Sequence, residues 1–220
     1  MGTAKLPKRL QITHDDPDPE AVEAAVRVLR EGGVIVYPTE TLYGLGADAL
    51  REPAVRRVFE IKGRPARQPI PIIIAEEGML DRVAASVPDV ARELAAAFWP
   101  GPLTLVLRAR PELPRVLLGG GDTVGVRVSG SRLCRELSRL LDGPITATSA
   151  NVSGGSDLRT AEEVAKVLGD KVDLILDAGP ARTDRPSTIV DCTGRVPRVL
   201  REGAIPTEEL KRRIPDLDWS

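Results

Sequence analysis

Apolar residues along the chain keep two rhythms in turn. In "EAVEAAVRVLREGG", from Glu20, Val22, Ala25, Val26 and Leu29 recur at helical spacing, behind an Asp18 cap and Pro19 in the first turn. Gly32-Gly33 stops that helix. The same spacing predicts helices in "EPAVRRVFEIKG", with Val55, Val58, Phe59 and Lys62 in step, and in "PDVARELAAAFW" and "SRLCRELSRLL". "TAEEVAKVLG" adds a capping box in Thr160 and Glu163, and a short last helix falls between residues 207 and 213. Between these lie short β-branched runs that predict strands: "VIVY", "IPIIIA", "LTLVLRA", "TVGVRV", "PITAT", "VDLILDAG", "STIVDC" and "RVLRE". Helices alternating with strands predict an α/β fold. Consecutive strands near the C-terminus predict a mixed sheet. Charge and apolar content are alike on both sides of the hinge-like Gly119-Gly120-Gly121. One domain over residues 18–206 is therefore expected, after a flexible leader (1–17) and before a C-terminal helix and tail (207–220).

Several strands run into polar clusters. After "VIVY" comes Pro-Thr-Glu-Thr and then "LYGLG", read as a flexible turn. If the backbone stays extended, Thr39 and Thr41 share a face and Glu40 takes the other. Two hydroxyls on one face suit a small polar ligand, or they cap the turn. "GLGA" lacks the third glycine of a dinucleotide fingerprint. In "KGRPARQP", Lys62 and Arg64 close a helix and Arg67 follows in a proline-bounded loop. They are helix-dipole partners or pre-positioned triphosphate ligands, and in the second case Lys62 and Arg64 should face solvent or ligand. In "TVGVRVSGS", Arg127 shares the small-residue face with Gly125, while Val124, Val126 and Val128 take the other. A guanidinium there needs an anion, either an internal carboxylate or a ligand. "ATSANVSGG" spaces Ser149, Asn151 and Ser153 by two, which suits phosphate or ribose oxygens or an ordinary turn.

Composition removes whole classes of chemistry. His14 is the one histidine and lies in the leader, so a serine or cysteine triad has no base. There is no Cys-x-x-Cys, and Cys134 and Cys192 stand alone, so neither a zinc site nor a disulfide framework is expected. Isolated cysteines, no apolar leader and no long apolar run together predict a cytoplasmic protein. Lys+Arg 31 against Asp+Glu 32 gives a net charge of −1, which offers no bulk attraction to nucleic acid. What remains is Arg, Lys, Ser, Thr and backbone groups, which position and neutralise charge rather than abstract protons.

"YPTETLYGLGADA", "KGRPARQP", "WPGPLTLVL", "TVGVRV", "TSANVSG", "PSTIVD" and "VLREGAI" resemble, in that order, the motifs of the YrdC-type threonylcarbamoyl-adenylate synthases, from about Glu20 to about Ile205. The resemblance implies a YrdC-like sheet curled round a basic concave cavity. It implies the joining of L-threonine, bicarbonate and ATP into L-threonylcarbamoyladenylate and pyrophosphate, a nucleotidyl transfer. The product would go to a tRNA-modifying transferase complex, for the adenosine beside the anticodon. Direct tRNA contact is left open. Carried over residue by residue, Thr41, Arg127 and Ser187 bind threonine. Arg64, Gln68, Thr123, Ser149, Asn151 and Arg201 bind ATP. Lys62 and Arg64 are the catalytic cations at the phosphates, and Mg²⁺ comes with ATP rather than to a dedicated protein site. The sequence departs from some relatives by Gln68 in place of Asn and by Ile72-Ile73-Ile74 where a histidine occurs. Longer relatives add a second domain and a linker that closes the site; this sequence shows neither, so closure is expected to be managed otherwise.

Threonine and bicarbonate can form a carbamate without a protein nucleophile, and the carbamate can then attack the α-phosphate. A site of arginines and hydroxyls fits that task. Two rivals are a tRNA- or double-stranded-RNA-binding module without catalysis and a carbamoyltransferase-type domain. Few aromatics argue against the first; the lack of zinc-finger cysteines argues against the second.

Overall fold

Two mixed sheets share one strand-like segment, and the cavity opens where they meet. The computed structural model describes residues 7–65, 67–156, 158–183, 185–216 and 218. The start of the leader and most of the tail's end, residues 1–6, 217, 219 and 220, lie outside the described residues.

The first sheet runs β1 (Lys8–Gln11), β10 (Leu174–Asp177), β2 (Ile35–Pro38), β3 (Tyr43–Gly46) and β9 (Thr148–Ser149). The second runs β12 (Arg198–Arg201), β11 (Thr188–Asp191), β6 (Leu103–Ala109), β7 (Thr123–Val128), β4 (Ile72–Ile74) and β8 (Ile145–Thr146), with β5 (Ala84–Ser86) on β6. The predicted "PITAT" strand is thus divided. β8 pairs with β4 in one sheet; past Ala147, β9 pairs with β3 in the other. The hydroxyl of Thr146 clamps the crossing, donating to the Leu45 carbonyl and accepting from Ala47 N–H, both at 2.9 Å.

Helices α1 (Pro19–Arg30), α2 (Glu52–Lys62), α3 (Asp89–Phe98), α4 (Arg132–Leu141), α5 (Ala161–Leu168) and α6 (Thr207–Lys211) form where the 3.6-residue rhythm places them. Asp18 caps α1 through Glu20 N–H, and Thr160 and Glu163 cap α5 reciprocally. α2 ends at Gly63, whose left-handed φ of 57° a side chain would strain. That cap sends the chain straight into the Arg64–Pro69 loop.

Several stretches depart from the sequence reading, the short strand β5 among them. Lys8–Gln11 was expected in the flexible leader. It forms an edge strand parallel to β10, tied by Arg9 and Gln11 to the Asp177 carboxylate. "YGLG" was expected as a flexible turn and is strand β3, antiparallel to β2. The Tyr37 ring lies over its glycines, and a Cβ on Gly46 would come within 2.7 Å of that ring. Glycine there makes room for an aromatic, not for motion. Glu77–Arg82 forms a 3₁₀ turn that the apolar rhythm does not mark.

Candidate active site

The floor of the site is a strand with two different faces. Val124, Val126 and Val128 of β7 are buried in the core; Thr123, Gly125 and Arg127 line a cavity of about 550 Å³. Gly125 keeps that floor low, since a Cβ there would meet Pro71 and Thr104 at 3.2 Å. Thr104 and Val106 extend the floor across β6.

At one end the turn between β2 and β3 is fixed by its own hydroxyls. Thr39 Oγ1 donates to the Leu42 carbonyl at 2.7 Å, accepts from Thr41 N–H at 3.0 Å, and lies 2.9 Å from Thr41 Oγ1. Both hydroxyls therefore share the cavity face, as alternation predicts, although the backbone bends rather than staying extended. Glu40 takes the other face and runs back to the end of β7. Its Oε1 accepts from Arg127 Nη1 at 3.1 Å, and its Oε2 accepts from the Ser129 hydroxyl. Of the two anions the sequence leaves open for Arg127, the structure shows the internal carboxylate. The arginine still borders the cavity. Burial works to raise the Glu40 carboxyl; Arg127, Ser129 and nearby backbone N–H groups outweigh it together and hold it below its ordinary range.

At the other end the cations stand on loops. Arg64 donates to the carbonyls of Gln68 at 3.2 Å and Pro69 at 2.9 Å, and to Thr148 Oγ1 at 3.4 Å. Those acceptors are neutral, so Arg64 brings its positive charge to the wall; burial alone lowers its pKa, and it stays protonated. Arg201 holds the Ser187 carbonyl through Nη2 at 2.8 Å and reaches Ser187 Oγ at 3.3 Å. Ser187 Oγ in turn lies 2.9 Å from Thr104 Oγ1. Gln68, Thr123 and Ser149 complete this part of the wall.

Two predicted contacts sit behind the wall instead. Lys62 is only 2% exposed, and its ammonium donates to the Ser149 carbonyl (2.6 Å), the Asn151 carbonyl (2.8 Å) and Asn151 Oδ1 (2.9 Å). The expectation that Lys62 faces solvent or ligand is corrected. Three donors, two on the backbone carbonyls of 149 and 151 and one on the Asn151 side chain, make it a clamp on that segment. Asn151 is buried too, accepting from Lys62 and from Ser149 Oγ (2.7 Å) while its amide donates to the Gly155 carbonyl (3.0 Å). Ser149 thus spends its proton inward and turns lone pairs to the cavity. Ser153, the third residue of that series, is held by its backbone N–H on the Lys62 carbonyl.

Thr41, Arg127, Ser187, Arg64, Gln68, Thr123, Ser149 and Arg201 therefore come together on the wall of one cavity. Thr104, Thr148 and Tyr37 were missed. Thr104 had a legible signal, a lone hydroxyl in the apolar strand "LTLVL". Tyr37 had none; its phenol donates to the Thr146 carbonyl at 2.8 Å, and burial pushes its pKa well up. Ile72–Ile74, the strand where some relatives carry a histidine, is wholly buried; Pro71 is the residue of that stretch that reaches the cavity. Among the described residues no group of three or more His, Cys, Asp or Glu could hold a metal ion, and no helix is long and apolar enough to cross a membrane.

The family model Sua5_yciO_yrdC, described as telomere recombination, matches residues 27–203. A threonylcarbamoyl-AMP synthase of Pyrococcus abyssi is 44% identical over 89% of this chain and 58% of its own length. A putative threonylcarbamoyl-AMP synthase of Mycobacterium tuberculosis is 40% identical over 90% of this chain and 93% of its own length. The crystal structure of P. abyssi Sua5 complexed with L-threonine superposes with a TM-score of 0.92 at 40% identity, covering 96% of this chain and 62% of that one. The chain thus spans less than two thirds of the P. abyssi protein and nearly all of the mycobacterial one.

Proposed function

We infer that this chain, which belongs to the Sua5_yciO_yrdC family, is an L-threonylcarbamoyladenylate synthase that converts L-threonine, bicarbonate and ATP into L-threonylcarbamoyladenylate and pyrophosphate. The observation that carries the reading is a single cavity with two unlike ends: Arg127 with the Thr39–Thr41 hydroxyls at one, Arg64 and Arg201 with Ser149 at the other. The first end suits an amino-acid carboxylate, the second a triphosphate.

In this reading Arg127 receives the threonine carboxylate, and the Thr41 and Ser187 hydroxyls orient the substrate. Arg64, Arg201, Gln68 and Thr123 hold the nucleotide, and the Ser149 lone pairs can accept from a ribose hydroxyl. Lys62 and Asn151 act one layer back, by holding the Ser149 segment in place. The threonine amine, its ammonium proton lost to solvent, condenses with bicarbonate and releases water; an oxygen of the resulting carbamate attacks the α-phosphorus, and pyrophosphate departs with the bond electrons. The arginines screen the anions as they converge and need no proton transfer of their own. The cavity wall carries hydroxyls, amides and guanidinium groups but no carboxylate among the described residues. That set fits Mg²⁺ carried by the phosphate oxygens, where it would neutralise charge alongside Arg64. The product would pass to a transferase that modifies tRNA, in the cytoplasm, where the two buried free thiols are at home.

The test is pyrophosphate release from ATP and Mg²⁺, with threonine or bicarbonate left out in turn. Release that needs both is expected. Equal release without threonine would indicate a plain ATPase and end the reading.

A further inference from the structure

We propose that Glu40 is a positioning residue for the amino-acid end of the cavity: its carboxylate ties the Thr41 turn to β7 and fixes the edge of Arg127 that meets the carboxylate of L-threonine. The proposal rests on the functional reading above and adds a residue that lies outside the cavity wall.

Glu40 is placed to hold rather than to react. Its two oxygens accept from Arg127 Nη1, at 3.1 Å, and from the Ser129 hydroxyl. With one donor on each oxygen and no place in the cavity wall, it is poorly placed to serve as a base or to bind the substrate ammonium. Its side chain is 16% exposed and that of Arg127 is 7% exposed, so the pair is shielded on both sides.

The pairing leaves Arg127 half used. One bond engages Nη1, and the Nε–Nη2 edge bonds to none of the described residues. That edge is the planar fork that takes a carboxylate with two parallel bonds. A guanidinium on a strand between apolar neighbours would otherwise turn to whichever solvent or anion it could reach. Fixing Nη1 removes that freedom in a residue that borders the cavity. The same carboxylate reaches from the turn that carries Thr41. Sequence neighbours at positions 39, 40 and 41 thus divide the work: two hydroxyls face the ligand, and the acid between them locks the turn to the strand that bears Arg127. Ser129, two residues beyond Arg127, closes the loop, and its Oγ also accepts from Ser131 N–H at 3.2 Å.

Steady-state pyrophosphate release by the full chain tests this, comparing wild type, Glu40→Gln and Ser129→Ala, each checked by thermal melting. Glu40→Gln keeps the shape and an acceptor for Ser129 but loses the charge that holds Nη1. A rise of about tenfold in the KM for threonine is expected, with the KM for ATP within about twofold. Ser129→Ala, which only loosens Glu40, should move the threonine KM the same way by a few-fold. An unchanged threonine KM in Glu40→Gln, or equal rises for threonine and ATP, overturns the proposal, since a merely structural acid would weaken both ends alike. If Glu40→Gln fails to fold, Ser129→Ala decides, and an unmoved threonine KM there overturns it. A wild type that releases pyrophosphate without threonine fails earlier, at the synthase reading, and takes this proposal with it.

Discussion

The two ends of the cavity hold their arginines by opposite means. Arg127 stands on a central strand, 6% exposed, with a carboxylate partner reached from a turn of the other sheet. Arg64 stands just past a helix end, half-buried, held by main-chain carbonyls and a threonine hydroxyl. The first is a neutralised pair with one donor nitrogen committed to Glu40. The second keeps its charge for whatever enters. A small zwitterion with one carboxylate needs direction more than charge, whereas a triphosphate needs charge more than direction. Where each arginine sits decides which kind of support it can have. A strand interior demands a counter-ion, because a lone buried charge is costly; a loop at the rim can share its arginine with water.

That contrast breaks most visibly at Arg127. Arg127→Ala should do two things at once: abolish threonine affinity, and leave Glu40 buried without its partner, at a cost of about 3–5 kcal/mol. Urea unfolding reads the second, and threonine titration of the surviving folded protein reads the first. Adding Glu40→Ala should return part of the stability and none of the affinity. If Arg127→Ala alone unfolds like wild type, the buried pair is not what supports the strand.

The next largest effect separates Lys62 from Arg64. Lys62→Met fills the same space but strips donors from the Ser149 and Asn151 carbonyls and from Asn151 Oδ1. A loss of about 2–3 kcal/mol is expected, together with a fall in turnover as the Ser149 segment slackens. Arg64→Ala should cost under about 1 kcal/mol of stability, because its partners can turn to water, yet reduce turnover about a hundredfold. Melting and turnover measured side by side decide. Two variants with the same melting loss would erase the distinction between clamp and ligand.

Lys62 also shows where sequence reading stops. "KGRP" announces a cation cluster, and nothing in the spelling says that one cation turns inward while the other stays at the rim. That choice comes from the Gly63 cap, which sends Lys62 and Arg64 apart, and from the Ser149–Asn151 backbone, which is 87 residues away from Lys62. Arg127 was legible as a residue that needs an anion, because the valine alternation fixed its face. Its partner was not, since Glu40 lies 87 residues back, in a turn whose bend cannot be read from alternation. Helices, caps and most strands were legible because they depend on near neighbours. β1 was not, because it is a strand only through its pairing with β10, and "YGLG" was not, because its glycines answer to the Tyr37 ring.

Acid sharpens the comparison without touching the cavity. Glu40 is lower in pKa in the folded chain than its ordinary 4.5. A carboxyl lowered by folding contributes stability that is present above its unfolded pKa and is lost as pH falls through the folded one. The stability gap between wild type and Glu40→Gln should therefore be level at neutral pH, begin to close below about pH 4.5, and vanish once Glu40 is protonated in both states. Asp177 and Glu202 are lowered as well, but they titrate alike in the two proteins and cancel in the difference. Urea unfolding of both proteins between pH 7 and pH 3 measures the gap. A gap that widens on acidification contradicts the assignment of Glu40 as an anion held by Arg127.

The smallest effect probes the seam between the two ends. Thr104 Oγ1 lies 2.9 Å from Ser187 Oγ, and the Ser187 carbonyl and hydroxyl are both within reach of Arg201. Through this chain a floor residue of β6 touches both a proposed threonine contact and a proposed nucleotide contact. Thr104→Val keeps the volume and the strand preference and removes one hydroxyl. Ser187 can still accept from Arg201, so the loss in stability should stay below about 1 kcal/mol. The ligand effect is the informative part. If Ser187 serves mainly the threonine end, its KM should rise about threefold while that for ATP holds. If it serves mainly as the anchor of Arg201, the KM for ATP should move instead. Equal movement of both would place Ser187 at the joint where carbamate oxygen and α-phosphate meet. The turnover number would then have to fall as well, because a hydroxyl at that joint acts on the reacting groups rather than on either substrate alone.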